Sequence, residues 1–470
     1  MHSPMKDSVP VAHCQRTGDC MSMNLGPQLI GTSPAHAALI AGLLVAVTVP
    51  LALRAGQREA QPWLPALLMG SLLLHFFGSA LQIVVVRVAY DNVADFNGYN
   101  RRGADLAAAW DNGTFDLSGL LIPGTGTIDV ITGVIFTVVG VDQLGAFFVF
   151  SWLAFLGLMA FYRAFRIAMP TAQHGRYAAA IFLLPSLFYW PSATGKEAVM
   201  MLALGLMVLG AALVFNSRWS GVLPLAAGTV LGGLIRPHEV ALLFGAFGAA
   251  ILTRRAVRHS LITPVRWVVT LVVVGLFGVV LARVTADFLG LTTISASALV
   301  ETINDTNEAL QGEGTGFESS YATWNASPLY FPYDVYLVLF KPLPFEVRSG
   351  TQAFAAVENL TIMALIAASW RSLAAVPRQL RQSPFLVMCL LYSVGFLYVF
   401  SALGNVGLLA RERTLLFPLL FVLFTLSTTT VRTNSMGGHS TGGRSWSVPA
   451  VLTFPRSTYE SVDAVSPPRG

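Results

Sequence analysis

Charge is what this chain has least of. Asp, Glu, Lys and Arg make up 11% of its 470 residues, against about 25% in soluble globular proteins. So few charges cannot cover the surface of a soluble protein of 50.4 kDa, and a soluble enzyme is excluded. Cysteine is scarce as well: Cys14, Cys20 and Cys389. Cys14 and Cys20 could pair outside a cell, Cys389 lies in an apolar run as packing, and no Cys/His spacing suggests zinc. Signatures of nucleotide and hydrolase chemistry are missing too: no phosphate loop, no G-x-G-x-x-G behind a strand, no H-E-x-x-H and no G-x-S-x-G. That argues against an ATP-driven pump or a cytoplasmic nucleotide-sugar enzyme.

What is present is apolar. Hydrophobic residues make up 54%, and mean hydropathy is +0.64. Long apolar runs recur near 35–53, 64–88, 144–162, 177–191, 197–215, 221–236, 238–253, 267–284, 352–370, 383–402 and 414–430, about eleven spanning candidates. Each reads as a helix, because in lipid only helices and closed barrels satisfy every backbone group. The expected fold is an all-α, polytopic integral membrane protein with two long extracytoplasmic loops. Its expected parts are a flexible tail over 1–34, a transmembrane domain over 35–432 with outer loops at 89–143 and 285–351, and a flexible tail over 433–470. The first run follows a long polar tail and is trailed at once by Arg54 and Arg58, which is not the form of a cleavable leader.

The 29 basic and 24 acidic residues give a net charge of +5. The basic residues sit in short loops between apolar runs, the pattern of a membrane protein rather than of a nucleic-acid binder. Every second loop is basic: Arg54 and Arg58; Arg163, Arg166 and Arg176; Arg218; Arg254, Arg255, Arg258 and Arg266; Arg371, Arg378 and Arg381. The bias of Lys and Arg toward the cytoplasm puts these loops on the cytoplasmic side of a cell membrane. The N-terminus is then outside, and the C-terminal tail with Arg432 and Arg444 is inside. The other loops mix acids, aromatics, Gly and Pro, and they include the two longest. Loops beyond about 15 residues are usually functional or disordered, so the working face is expected outside. The short run 130–141, between Asp129 and Asp142, reads as re-entrant rather than spanning.

Four stretches on that face could carry chemistry. In YDNVADFNGYNRRGADL, Asp91, Asp95 and Tyr99 would share a face of one helix. A carboxylate there could act as a general base on a sugar hydroxyl or hold a divalent cation. A plain solvated helix with an Asp pairing to Arg101 or Arg102 is the simpler alternative. In LPSLFYWPSATGKEAVMM, Thr194 and Glu197 fit a capping box. Lys196 opposes the helix dipole unless an anion such as phosphate meets it there. In LIRPHEV, Arg236 offers a bidentate fork for phosphate and His238 a proton carrier, while Glu239 complements the dipole. Snorkelling to the interface competes with that reading. In ARERTLLFPLL, Arg411 and Arg413 again stand at the unfavourable end of a helix, which calls for an anionic partner or an internal salt bridge. The long outer loop carries Glu301, Asp305, Glu308, Glu313, Glu318, Tyr321 and Trp324, acids beside aromatics as a sugar face requires. Trp and Tyr are equally at home at any membrane interface.

DNVADFNGY, LPSLFYWPSATGKEA, RPHE and ARERTLLFPLL, laid out over roughly residues 70–430, resemble the bacterial polytopic membrane proteins of surface-polysaccharide synthesis. These are lipid-linked-sugar glycosyltransferases of the GT-C type and O-antigen or exopolysaccharide polymerases. In GT-C enzymes the acidic loop usually follows the first helix; here it follows the second, which keeps the polymerase variant open. The resemblance implies a polyprenyl-phosphate-linked sugar donor and a glycan acceptor at the outer face. It implies no cofactor beyond an optional divalent cation, a base at Asp95 or Asp91, and phosphate contacts from Lys196, Arg236, Arg411 and Arg413. His238 would serve as a proton shuttle in such a site. A transporter or flippase for a lipid-linked glycan would use the same basic cluster, and so would a non-catalytic subunit of a polysaccharide assembly machine. A transporter should show broken helices paired between two halves.

Overall fold

The computed structural model describes residues 30–253, 328–347, 350–401 and 406–427, with isolated positions at 275, 279, 283 and 301. The tail expected over 433–470, nearly all of the tail over 1–34, most of the run 267–284 and most of the loop 285–351 lie outside the described residues. Among the described residues every regular element is helical.

The chain opens with α1 (Pro34–Glu59), where Ser33 Oγ accepts the His36 N–H at 3.4 Å and proline takes the first position, a favoured start. It returns in α2 (Leu64–Ala89), then runs through α3 (Asp95–Asp111) and α4 (Thr125–Val139). Asp142 Oδ1 accepts the Gly145 N–H at 2.6 Å and so caps α5 (Gln143–Ala168). Next come α6 (His174–Leu183), α7 (Pro185–Tyr189), α8 (Lys196–Phe215), α9 (Val222–Gly233) and α10 (Pro237–Thr253). After the undescribed stretch follow α11 (Phe331–Phe340), α12 (Gly350–Ala368), α13 (Trp370–Leu380), α14 (Pro384–Phe400), α15 (Val406–Glu412) and α16 (Phe417–Phe424).

Four helices, α1, α2, α5 and α8, are long and apolar enough to cross a membrane. A fifth candidate is the pair α12 and α13, bent by 63° at its break. Among the described residues the remaining apolar runs form shorter helices. The run 177–191 is split because Pro185 disfavours helix at Leu184, which turns to φ −66, ψ 127. The run 414–430 becomes a single 3₁₀ turn and the eight-residue α16. On α1, Leu39, Leu43 and Val47 are exposed at four-residue spacing, and on α2 so are Leu73 and Phe77. That apolar stripe, uncovered by protein, suits lipid.

Contacts sort the helix termini into two ends. Ile40 packs on Gly145, Trp152 Nε1 donates to Thr48 Oγ1 at 2.9 Å, and Arg166 pairs with Glu59, so α1 and α5 run parallel. α2 runs against them, with Phe76 on Phe148 and Gly78 against Phe188 and Ser192. The starts of α1, α5, α8 and α10 therefore gather at one end with the close of α2. The closes of α1, α5 and α8 gather at the other. α4 does not connect the two. At its start the Gly124 N–H and Thr127 Oγ1 donate to Leu234 O, at 2.9 and 2.8 Å. At its close, Gly140 lies against His36 at the start of α1. Both termini of α4 thus meet the same end of the bundle, as a re-entrant or surface-lying segment must.

At the centre, α5 and α8 cross on glycine. A Cβ on Gly157 would run into the Met201 carbonyl, and one on Gly205 into the carbonyl of Gly157. Backbone therefore meets backbone there. α8 is apolar on every side and buried along most of its length, as expected of a helix enclosed by others.

Candidate functional site

The site lies at the end where α3, α8 and α10 begin and α15 closes. Arg236 stands in the turn between α9 and α10, 8% exposed. Its Nη2 donates to Glu197 Oε1 at 2.8 Å, and its Nη1 donates to Glu239 Oε1 at 3.2 Å and to Glu412. Burial works against its charge, but the carboxylates of Glu412, Glu197 and Glu239 outweigh burial and hold the guanidinium above its ordinary range. Glu197 is the pivot. Its second oxygen accepts from Arg411 Nη2 at 2.7 Å, while Arg411 Nη1 reaches Asp95 Oδ2 at 3.1 Å. The result is a continuous chain of charge-assisted bonds, Glu239 and Glu412 to Arg236 to Glu197 to Arg411 to Asp95. Enclosed charges persist only when paired in this way.

Depth changes along that chain. The Glu239, Glu197 and Glu412 side chains are 0%, 3% and 6% exposed, whereas that of Arg411 is 24% and that of Asp95 67%. Asp95 is therefore a solvent-facing carboxylate held by a buried scaffold. Tyr99, one helical turn on from Asp95, is buried, and burial together with the Asp95 charge pushes its phenol up.

Lys196 opens α8 beside this network, half-buried and within electrostatic reach of Arg236, Glu197, Arg411 and Asp95. It makes no hydrogen bond or ion pair among the described residues, unlike the two arginines. Gly124 leaves the space for it: the backbone there has φ +84, which favours glycine, and a Cβ would lie 3.3 Å from Lys196 Nζ.

The structure thus brings Asp95, Lys196, Arg236 and Arg411 together. It places the other expected residues elsewhere. Asp91 is not on the helix of Asp95. Asp91 and Asn92 are left-handed (φ 47 and 62) and α3 starts only at Asp95, so Asp91 sits exposed in the preceding turn. Arg413 points away from the cluster. It is 1% exposed, with Nη1 near the carbonyls of Val338 and Leu339 at 3.5 and 3.4 Å and Nη2 3.7 Å from Glu358. It complements the open carbonyls at the close of α11. Glu358 in turn accepts the Ser186 N–H at 2.7 Å, at the start of α7. His238 faces the Phe400 ring, centroids 6.1 Å apart, within electrostatic reach of Arg236 and Lys196. Arg102 pairs with Asp129 at 2.6 Å rather than with Asp95.

The capping box expected at Thr194 and Glu197 does not form. Gly195 occupies the cap position without a side-chain bond, Thr194 Oγ1 is buried with no hydrogen bond among the described residues, and Glu197 serves the two arginines. Glu197, Glu239 and Glu412 are the residues that a search for phosphate ligands passes over. A signal for them is present: GKE, RPHE and RER each carry an acid within three residues of the base. Among the described residues no group of three or more His, Cys, Asp or Glu could hold a metal ion. The chain matches no family model, and neither a curated protein nor a solved structure matches it.

Proposed function

We propose that the chain is a multi-span membrane glycosyltransferase or polysaccharide polymerase. In this reading it transfers a sugar or short glycan from a polyprenyl-phosphate carrier to a glycan acceptor at the outer face of a cell membrane. The observation that supports this reading is the nearness, at one end of the bundle, of a solvent-facing carboxylate on a rigid mount to Lys196, which makes no ion pair among the described residues. In the proposed step the acceptor hydroxyl gives its proton to Asp95 as its oxygen bonds to the anomeric carbon. The bond from that carbon to the phosphate oxygen breaks, and the electron pair leaves with the phosphate. Lys196 meets the charge that develops there. Arg411 positions Asp95. Arg236, whose fork is engaged by three carboxylates, acts by holding Glu197 and through it Arg411, in place of the phosphate contact expected of it. The abundance of exposed arginine at the opposite end supports a cytoplasmic placement for that end.

A flippase would require charge along a path through the bilayer. The gathering of the network at one end supports one-sided chemistry instead. The test is transfer from a labelled polyprenyl-phosphate sugar in membranes containing the protein. Asp95→Asn should lower transfer by about 10²–10⁴-fold at unchanged abundance in the membrane, and Lys196→Met should raise the KM for the carrier. Full transfer by Asp95→Asn would remove the base. Movement of an intact lipid-linked glycan across the bilayer without transfer would replace the enzyme by a flippase.

A further inference from the structure

The end opposite the ion-pair network carries a helix that the proposed reaction does not use. α13 follows α12 after a bend of 63°, so the two cannot both run along the bundle axis. Its sequence, WRSLAAVPRQL, is amphipathic. Leu373, Val376 and Leu380 recur at three and four residues, the spacing of one helical face, and all three pack on the core. Arg371 and Arg378 are seven residues apart, hence nearly in line, and Arg371 lies about 200° around the helix from Leu373. Arg371, Arg378 and Arg381, just past the helix, are all exposed, and the stretch 370–383 contains no acid. None of these arginines has a hydrogen bond or ion pair among the described residues. Trp370 is 61% exposed, with the Arg371 guanidinium 5.5 Å from its ring centroid.

The helix is fastened rather than loose. Ser372 Oγ donates to Leu426 O at 3.0 Å and Gln379 Nε2 to Ser427 O at 2.8 Å, while Arg176 Nη2 donates to Ser369 Oγ at 3.1 Å at its cap. Its basic face is therefore held in a fixed attitude at the close of α16. Exposed Arg54, Arg58, Arg163 and Arg176 share that end.

We infer that α13 is an in-plane interfacial helix whose arginine face binds the headgroups of anionic phospholipids in the adjoining leaflet. A helix bent by 63° off the apolar α12, with its apolar side on protein, would leave its basic side at headgroup level. Guanidinium groups on a fastened helix, without carboxylate partners among the described residues, match phosphodiesters there by both charge and geometry. The exposed indole fits the same depth. The inference does not rest on the proposed glycosyl transfer, and its test reads lipid rather than turnover.

The full chain is reconstituted in nanodiscs of phosphatidylcholine and phosphatidylglycerol, re-isolated in mild detergent, and its retained lipid is measured by mass spectrometry. Phosphatidylglycerol should be enriched over the bulk ratio. At about fivefold in affinity for each basic residue near an anionic surface, the variant Arg371→Gln/Arg378→Gln/Arg381→Gln should lose most of that enrichment. The corresponding Arg→Lys variant should keep a large part of it. Removing arginines at the same end but off the helix, Arg54→Gln/Arg163→Gln, should lower it less than the α13 variant does. These side chains are exposed, so the variants should elute as the unaltered protein does on size exclusion. Equal retention of the two lipids by the unaltered chain would overturn the inference. So would enrichment that survives the Gln variant, or an equal loss from the two sets of arginines. Capture of an acidic soluble protein by the unaltered chain, with no lipid preference, would assign the face to a protein partner and overturn it as well.

Discussion

Arg163 near the close of α5 and Arg236 before the start of α10 stand at opposite ends of one bundle, in opposite conditions. Arg163 is exposed, as are Arg54, Arg58, Arg218, Arg371, Arg378 and Arg381 on the same side, and none of these bonds to a carboxylate among the described residues. Arg236 is enclosed and engages three carboxylates, and Arg413, deeper still, has Glu358. An arginine that water or headgroups can reach needs no partner from the protein. One that the protein encloses must be supplied with acid, or folding would leave an uncompensated charge. At the exposed end arginine records which side of a membrane a loop prefers. At the other end the enclosed Arg236, with Arg411, ties the starts of α3, α8 and α10 and the close of α15 into one mount.

Four experiments can break or sharpen that contrast. The largest effect is all-or-none. In a chain whose own cysteines are replaced, Asn112→Cys should react with an impermeant maleimide on intact cells, and Gln57→Cys only after permeabilisation. Labelling of both from one side would dissolve the two-ended arrangement, and a reversed pattern would invert it. Next, Arg236→Met leaves Glu197, Glu239 and Glu412 without their common counter-charge. It should cost about 3–5 kcal/mol of stability, read as thermal unfolding in detergent. A loss below 1 kcal/mol would mean that the network is dispensable. Third, Glu358→Gln keeps the shape beside Ser186 but removes the charge facing Arg413, and a loss of about 1–3 kcal/mol is expected. Last, Arg163→Gln should change stability by no more than about 0.5 kcal/mol. A loss comparable to that of Arg236→Met would show the exposed end to be bonded after all.

Much of this contrast was legible in the sequence. Lys196 and Arg236 stand at helix starts, where the dipole does not favour bases, and they do lie together; Arg411 joins them for another reason, because it sits in the last turn of α15, where a base is favoured, and not at the start of a helix as expected. For Arg236 the partners are carboxylates of the chain itself rather than a phosphate, and for Arg411 the internal salt bridge named as the alternative is the one that forms, each with acids drawn largely from the other motifs. Arg413 was grouped with Arg411 although positions two apart on a helix point about 200° from each other, so one side chain faces the cluster and its neighbour α11. Asp91 was set on the helix of Asp95, which assumed that the helix begins earlier than the left-handed turn at Asp91 and Asn92 allows. Apolar runs foretold an all-helical chain, but hydropathy does not register where backbone geometry interrupts them. Pro185 divides one run into α6 and α7, and the 63° break divides another into α12 and α13. The run 130–141 was read from its shortness as re-entrant; the structure shows that both termini of α4 meet one end of the bundle.

The crossing of α5 on α8 has a mechanical consequence. Where side chains interdigitate, helices can slip past one another by exchanging rotamers. Where Gly157 and Gly205 bring main chain onto main chain there is no such compliance, and either helix can travel only if the other travels with it. The two form a strut between the ends of the bundle. Glu197, rooted on the first turn of α8, is thereby fixed to the frame, and Arg411 and Asp95 inherit their position from it. If the proposed lipid-borne donor enters here, the opening would come from α3 or α15 swinging against that strut, with the bond between Arg411 and Asp95 as the latch that parts.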